Sequence, residues 1–115
     1  MPPRAVVVDD HPAFRRMARR LLTAAGFRVV GEAATAHDAV DVVTRVDPEL
    51  VLLDVLLPDG NGIDVADRLR ESSAAFVVLT SSRTRTELAD AVQTRPFVTK
   101  AELTIERLRE MCRDR

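Results

Sequence analysis

The chain has 115 residues, of which 46% are hydrophobic and 30% are charged, and its formal net charge is −1. These values predict one soluble globular domain spanning residues 1–115, and they exclude a strongly basic surface that binds nucleic acid directly. The first ten residues hold only a four-residue apolar run, too short for a signal peptide or a membrane span. A single cysteine, Cys112, excludes an internal disulfide and fits a reducing cytoplasm. We therefore expect a cytoplasmic protein, and the short apolar run predicts no membrane association.

Five short segments predict β-strands. In chain order they are Ala5–Val8, Arg28–Ala34, Leu50–Leu53, Phe76–Leu79 and Phe97–Thr99. The first, third and fourth are continuous apolar runs, which is typical of strands buried on both faces of a parallel sheet. The second segment is mixed and the fifth is very short, so we expect these two at the edges.

Between the strands, apolar residues recur at steps of three and four and predict amphipathic helices. The helical segments run over residues 14–25, 36–43, 63–69, a short fourth one at 88–92, and 105–112. Pro12 and Gly26 mark the start and end of the first helix, and Asp47-Pro48 closes the second. The alternation predicts an α/β fold: a flavodoxin-like, doubly wound, five-stranded parallel sheet of order 2-1-3-4-5, with helices on both faces.

Polar side chains follow the strands that this order places side by side. Asp9 and Asp10 follow the first strand, Asp54 follows the third, Thr80 ends the fourth and Lys100 ends the fifth. In doubly wound sheets, ligands bind beyond the carboxyl ends of the strands, at the switch point between strands one and three. We therefore expect three acids, a hydroxyl and an amine to meet in one crevice.

Each of these residues alone has a simpler interpretation. Asp10 could cap the first helix, Asp54 could begin a turn, and Thr80 and Lys100 could be an ordinary strand end and a solvated amine. Their convergence favours a site, because three neighbouring carboxylates repel one another and raise each other's pKa. A divalent cation removes that cost, and oxygen ligands with room for water suit Mg²⁺.

The same residues, with "DVLLPDGNG" after the third strand, resemble the receiver domain of two-component response regulators. The resemblance covers essentially the whole chain and is closest to receivers that precede helix-turn-helix output domains. It implies transcription regulation through a phosphorelay, with a sensor histidine kinase or a histidine phosphotransfer protein as partner. A homodimer is a further partner that it suggests. Such a domain catalyses its own phosphorylation and dephosphorylation and is not a conventional enzyme.

The resemblance also implies a role for each position of the site. Asp54 would accept the phosphoryl group, Thr80 would donate a hydrogen bond to it, and Lys100 would neutralise its charge. For Mg²⁺, the implied ligands are Asp10 directly, Asp9 mostly through water, Asp54, and the backbone carbonyl of Leu56. Phe97, three residues before the lysine, occupies the place of the family's aromatic switch residue, whose rotation would change the interaction surface.

The sequence departs from the family pattern near its C-terminal end. Ala101 replaces the proline that usually follows the lysine, and only 20 positions separate Thr80 from Lys100. The stretch "RTRTELADAVQTRPF" lacks the usual Gly-Ala, so the fourth helix is expected to be short or irregular. The chain ends at Arg115 without a DNA-binding domain, and a natural stand-alone receiver and a piece of a longer regulator both fit.

Three other functions compete with this one. An aspartate-nucleophile phosphatase usually carries Asp-x-Asp, and here the second acid is replaced by Leu56. An FMN protein of the flavodoxin type needs a phosphate loop rich in Ser, Thr and Gly, whereas "DDHPAF" would repel phosphate. The remaining alternative is a receiver-like interaction module that works independently of phosphorylation.

Basic residues near the predicted site have ordinary interpretations. His11 is expected to act at the start of the first helix and not as a phosphoryl donor. The face of the first helix opposite its apolar side is interpreted as solvated, with docking of a kinase or phosphotransfer domain as the alternative. This face consists of Arg15, Arg16, Arg19 and Arg20.

Overall fold

The structure, a computed structural model, describes residues 1–83, 88, 92 and 94–113. Its centre is a five-stranded parallel sheet of order β2-β1-β3-β6-β7, which confirms the predicted strand order. The sheet strands are β1 (Arg4–Val8), β2 (Arg28–Ala33), β3 (Leu50–Asp54), β6 (Phe76–Ser81) and β7 (Phe97–Thr99). Two further strands, β4 (Leu56–Leu57) and β5 (Gly60–Asn61), form a small antiparallel hairpin outside this sheet. The sequence did not predict this hairpin.

Helices cover both faces of the sheet, as the alternation predicted. They are α1 (Pro12–Ala24), α2 (Ala36–Val46), α3 (Gly62–Ser72) and a C-terminal helix (Ile105–Arg113). The apolar sides of α2 and α3 pack on one face, and those of α1 and the C-terminal helix pack on the other. The fourth helix expected at residues 88–92 lies outside the described residues except for Leu88 and Val92. None of the helices within the described part of the chain is long and apolar enough to cross a membrane.

Helix ends follow the chemistry of the residues that form them. Pro12 occupies the first turn of α1, where its missing N–H costs nothing, and Gly26 follows the helix with a φ of +98°. The Thr35 side chain accepts a hydrogen bond from the backbone of Asp38 at the start of α2. Asn61 does the same for Ile63 at the start of α3. These caps fix where each helix begins relative to the strand before it.

A local capping motif follows β7, at the position where Ala101 stands in place of the expected proline. Residues Lys100–Glu102 form one turn of 3₁₀ helix, in which Thr99 and Glu102 make a reciprocal capping box. The Lys100–Ala101 peptide is trans, since the described residues contain no cis peptide bond. The capping box therefore gives the lysine a defined backbone position where the family pattern would use proline.

Candidate functional site

The five predicted side chains meet at the carboxyl edge of the sheet. Asp54 is the last residue of β3 and pairs in register with Thr80 of β6. Asp9 and Asp10 follow β1, and Lys100 follows β7. They surround a crevice of about 720 Å³, which Asp10, Asp54 and Lys100 line directly. The predicted convergence of strand-end groups is present in the structure.

Lys100 bridges the two buried acids of the site. Its Nζ atom lies 2.6 Å from Oδ2 of Asp9 and 3.3 Å from Oδ2 of Asp54. Burial would lower the pKa of Lys100, but the hydrogen bond with Asp9 and the charge of Asp54 raise it above its usual value. The ammonium group also lies 4.4 Å from the centre of the Phe14 ring. The amine is thus held charged between the carboxylates, which places a cation beside the end of β3.

The two acids respond differently to the same surroundings. Burial raises the pKa of Asp54 to about 6, with a further contribution from the neighbouring charge of Asp9, and the backbone N–H of Leu56 only partly offsets it. Burial also acts on Asp9, but hydrogen bonds from Lys100 and from the backbone and ring of His11 bring its pKa below the ordinary value. Asp54 is therefore the less satisfied carboxylate. It is the one that gains most from a further cation.

Thr80 is buried without a hydrogen-bond partner. The residue is 1% exposed, and its Oγ1 atom has no partner among the described residues. Because a buried hydroxyl normally pairs, such an atom is expected where a ligand supplies the missing partner. Its register opposite Asp54 places this hydroxyl beside the end of β3.

A comparison with known protein families connects this geometry to a function. The model of the response regulator receiver domain matches residues 5–113 of the chain. The chain belongs to the response regulator receiver domain family. It is thus a receiver domain of two-component signalling, a family that binds Mg²⁺ in an acidic pocket and interacts with histidine kinases. The phosphorylation-independent alternative is not favoured.

Individual relatives agree with this assignment. The nitrate/nitrite response regulator protein NarL of Escherichia coli K12 is 33% identical over 95 residues, which make up 80% of this chain and 44% of NarL. The chain therefore spans less than half the length of that relative. The putative NarL receiver domain of Mycobacterium tuberculosis superimposes with a TM-score of 0.81 at 28% identity, covering 99% of this chain and 98% of the other. A LuxR-family response regulator of an Aurantimonas species gives 0.84 at 28% identity, with coverages of 99% and 84%.

The residues of this receiver domain fit the Mg²⁺ that its family binds. Asp10 and Asp54 present carboxylate oxygens to the crevice, and Leu56 lines the crevice beside them. Ligand atoms of Asp9, Asp10, His11 and Asp54 all lie within 4.8 Å of one another. Oxygen donors of this kind are what Mg²⁺ prefers, and burial together with the charge of Asp9 disfavours the ionised form of Asp54, which a bound cation would stabilise. Asp9 is fully buried and does not line the crevice, consistent with an indirect role.

The start of α1 differs from the sequence expectation. Neither Asp10 nor His11 caps the helix with its side chain: His11 occupies the N-cap position without any side-chain cap. Its ring instead turns toward the acids, with Nδ1 3.0 Å from Oδ1 of Asp9 and 3.1 Å from Oδ1 of Asp10. His11 thus stands at the helix start and near the site, as predicted, but it does not cap the helix with its side chain. Pro12 already fixes the first turn, which leaves the imidazole free to face the crevice.

The arginine-rich face of α1 is only partly solvated. Arg15 donates from Nη1 to the backbone oxygen of Asp9 at 2.7 Å and from Nε to Glu32 at 3.1 Å. Arg19 also pairs with Glu32, whose pKa these contacts hold below its usual range despite partial burial. The arginines thus tie the end of β1 to the edge strand β2. Interpreting all four as a solvated face was wrong for Arg15, which is partly buried, whereas Arg19 is exposed as predicted.

Asp59 is a structural residue that the sequence did not indicate. Its carboxylate accepts hydrogen bonds from the backbone N–H groups of Ala36 at 2.7 Å and His37 at 3.1 Å. The loop that carries Leu56 is thereby fastened to the first turn of α2. "PDG" predicts a turn, but nothing in the sequence indicates that the acid of this turn caps a helix more than twenty residues away.

Removing this carboxylate tests the cap. Asp59→Ala is expected to lower the urea midpoint of unfolding, because two N–H groups of α2 lose their acceptor. These bonds hold the pKa of Asp59 below its ordinary value. The decrease in the urea midpoint should therefore be full above the ordinary aspartate pKa of about 4 and become smaller below it. Asp41→Ala is the control, since Asp41 is exposed on the same helix. Equal midpoints for the two variants at neutral pH would contradict the cap.

Proposed function

We propose that this receiver domain accepts a phosphoryl group on Asp54 from the phosphohistidine of a sensor histidine kinase or a histidine phosphotransfer protein. The observation that carries the proposal is the position of Asp54. Its buried carboxylate at the end of β3 lies 3.3 Å from the Lys100 amine and in register with the hydroxyl of Thr80, which has no partner among the described residues. A nucleophile, a cation and a hydrogen-bond donor therefore surround one point. These are the groups that phosphoryl transfer requires.

The transfer is a displacement at phosphorus. An Oδ atom of Asp54 attacks, a P–O bond to the carboxylate forms, and the P–N bond to the donor imidazole breaks with its electron pair passing to nitrogen. Lys100 stabilises the negative charge on the phosphoryl oxygens. The Thr80 hydroxyl donates a hydrogen bond to one of them, which gives this buried group the partner it lacks.

The metal would be held by Asp10, Asp54 and the backbone carbonyl of Leu56, with Asp9 acting mostly through water. When bound, Mg²⁺ neutralises charge that develops on the transferring group. Asp10 supplies a ligand on the open side of the crevice, where its side chain is partly exposed. Asp9 remains behind it, paired with Lys100 and His11.

The output is a change in what the surface binds. Added negative charge at Asp54 would draw the Thr80 hydroxyl and the loop that follows β6 toward the site. Phe97, which is buried in β7 next to β6, would respond by changing its packing. We propose residues 1–115 as a single cytoplasmic receiver domain in transcription regulation, which signals through protein contacts, a homodimer among them, and not by binding DNA itself.

Incubation with acetyl phosphate and Mg²⁺ tests the proposal. Intact-mass spectrometry should show the addition of one phosphoryl group, and the same incubation with EDTA should show none. Peptide mapping after borohydride reduction should place the label on residue 54. A label on His11 or on a serine, or a chain that stays unlabelled with Mg²⁺ present, would contradict the assignment.

A matched pair of variants separates the metal ligand from the phosphoryl partner. Asp10→Ala should reduce Mg²⁺ affinity about tenfold or more, because it removes a direct ligand. Lys100→Ala should retain Mg²⁺ binding but lose phosphorylation, because the amine faces Asp54 and Asp9 as a cation and carries no ligand for the metal. Isothermal titration measures the first effect and acetyl phosphate labelling the second. Unchanged Mg²⁺ affinity in Asp10→Ala would leave Asp10 without a role in the site.

A further inference from the structure

The side chain of Phe14 brings an aromatic ring to the lysine of the site. The Lys100 ammonium lies over this ring, with Nζ 4.4 Å from the ring centre. A cation within about 6 Å of the centre of an aromatic ring is attracted by the negative face of that ring. The sequence places Phe14 on the apolar side of the first helix and gives it no part in the site. The structure therefore adds a neighbour of Lys100 that the pattern of strand ends does not include.

Phe14 is held in place independently of the lysine. The next residue, Arg15, donates from Nη1 to the backbone oxygen of Asp9 at 2.7 Å and so ties the start of α1 to the end of β1. The ring is half-buried and packs against the apolar cluster between the sheet, α1 and the C-terminal helix. Backbone and core thus fix the ring, and the amine of the long lysine side chain is the part that the contact can position.

The ring completes the surroundings of the ammonium group. A lysine carries three N–H donors at the end of a flexible four-carbon stem. Its Nζ lies 2.6 Å from Oδ2 of Asp9 and 3.3 Å from Oδ2 of Asp54. With the Phe14 ring as a further neighbour, the Lys100 side chain is only 17% exposed. Because water is largely excluded, the attraction between the cation and the ring is stronger here than on an open surface.

An aromatic ring suits this place because it attracts the cation without neutralising it. A third carboxylate would compete with a phosphoryl group for the amine, and an aliphatic side chain would exclude water but attract no charge. The attraction also extends to about 6 Å from the ring centre. From its present 4.4 Å, Nζ can move from the Asp54 carboxylate toward a phosphoryl oxygen and remain within that range.

We propose that Phe14 is a positioning residue for phosphoryl transfer, whose ring face holds the Lys100 ammonium at the end of β3 before and after the phosphoryl group is added. The inference rests on the proposed function, because it assigns a further residue to the reaction of the same site. Phe14 touches none of the reacting atoms and acts only through Lys100. Its contribution therefore depends on the charge distribution of the ring as well as on its shape.

Nuclear magnetic resonance of the lysine side chain tests the contact without phosphorylation. Lys100 is the only lysine among the 115 residues, so carbon-13-labelled lysine gives a single Cε signal. Protons over the face of a ring are shielded, and the Hε protons of the parent should therefore lie upfield of those in a lysine peptide. Phe14→Leu should remove this shift, and Phe14→Tyr, which keeps the ring, should retain it.

The rate of labelling by acetyl phosphate at saturating Mg²⁺ tests what the contact does. Phe14→Leu keeps an apolar side chain but loses the ring, and it should slow labelling about threefold to thirtyfold, the range for loss of a cation–π contact. Replacing Phe14 with a ring-fluorinated phenylalanine should also slow labelling, because fluorine withdraws electron density from the ring face and nearly preserves its shape. Phe14→Tyr should label at close to the parent rate.

Phe76→Leu is the matched control. Phe76 is also half-buried and packs against the same apolar cluster, but it begins β6 at the end of the sheet opposite the site. Its loss should leave both the Hε shift and the labelling rate of the folded protein unchanged. Equal slowing by Phe76→Leu and Phe14→Leu would overturn the inference, since general packing would then explain both.

The remaining outcomes separate this inference from the proposed function. Labelling of the fluorinated protein at the parent rate would overturn the role of Phe14, because shape alone would then suffice. Hε protons without an upfield shift in the parent would show that the amine does not lie over the ring, and would overturn it as well. Neither result touches the assignment of Asp54. A parent that shows the Hε shift but takes no phosphoryl group would instead sink the proposed function.

Discussion

Asp54→Asn is expected to abolish phosphorylation by acetyl phosphate and Mg²⁺. An amide is not a nucleophile toward phosphorus under these conditions, and no other described acid of the site occupies the same place. Asp9 is fully buried and paired with Lys100, and Asp10 lies on the open side of the crevice. Intact mass should therefore show no added phosphoryl group in the variant under conditions that label the parent fully. Residual labelling at the parent level would mean that another residue is the acceptor.

The same variant should be more stable than the parent when no metal is present. Burial and the charge of Asp9 raise the pKa of Asp54 to about 6, so the ionised carboxylate destabilises the folded state above that pH. Asp54→Asn removes this charge and should raise the free energy of unfolding by up to about 3 kcal/mol near pH 8 in EDTA. The gain should shrink as the pH falls below about 6, because the folded parent then takes up a proton. Urea titrations of both proteins at pH 8 and below pH 6 measure this difference in the free energy of unfolding.

Gly62→Ala is expected to damage both the fold and the site. A Cβ atom at residue 62 would lie 2.0 Å from the backbone oxygen of Asp54 and 2.9 Å from Cα of Val55. Neither neighbour is a flexible side-chain end, so the backbone that carries the phosphoacceptor must move. We expect a loss of about 1–3 kcal/mol in the free energy of unfolding, measured in urea, and a large fall in the rate of labelling.

Gly60→Ala is the matched control for this substitution. A Cβ atom there would meet only the Cβ of Ala36, at 3.4 Å, which is an ordinary contact. Its stability and labelling should stay close to those of the parent. Equal behaviour of the two alanine variants would show that the approach of Gly62 to β3 has no part in holding Asp54.

The sequence predicted the sheet, and the meeting of the strand-end side chains at its carboxyl edge, because both depend on strong local signals. Continuous apolar runs identified the buried strands, and helical periodicity identified the elements between them. Strand order then follows from the rules for parallel sheets, and it brings Asp9, Asp54 and Lys100 together without any knowledge of their contacts. The prediction succeeded wherever backbone position alone decides the result.

The sequence failed where the result depends on side-chain direction across distant segments. Pro12 and His11 together look like an ordinary helix start, and only the fold shows the ring turned toward the acids. The hydrogen bonds of Asp59 with α2 and of Arg15 with the oxygen of Asp9 join segments whose approach is set by packing. The β4–β5 hairpin is too short to produce a periodic signal.

The place of Lys100 between two acids has a consequence for the order in which the chain can fold during synthesis. The lysine follows Asp54 by 46 residues and arrives with β7, the last strand of the sheet. Until then, a nascent chain that has paired β1 with β3 holds two carboxylates at its carboxyl edge with no cation between them. Burying such charges unpaired is costly, so the partial sheet remains unstable while it emerges from the ribosome. The two ion pairs of Lys100 are therefore among the last contacts that can form, because they need the final strand of the sheet in place.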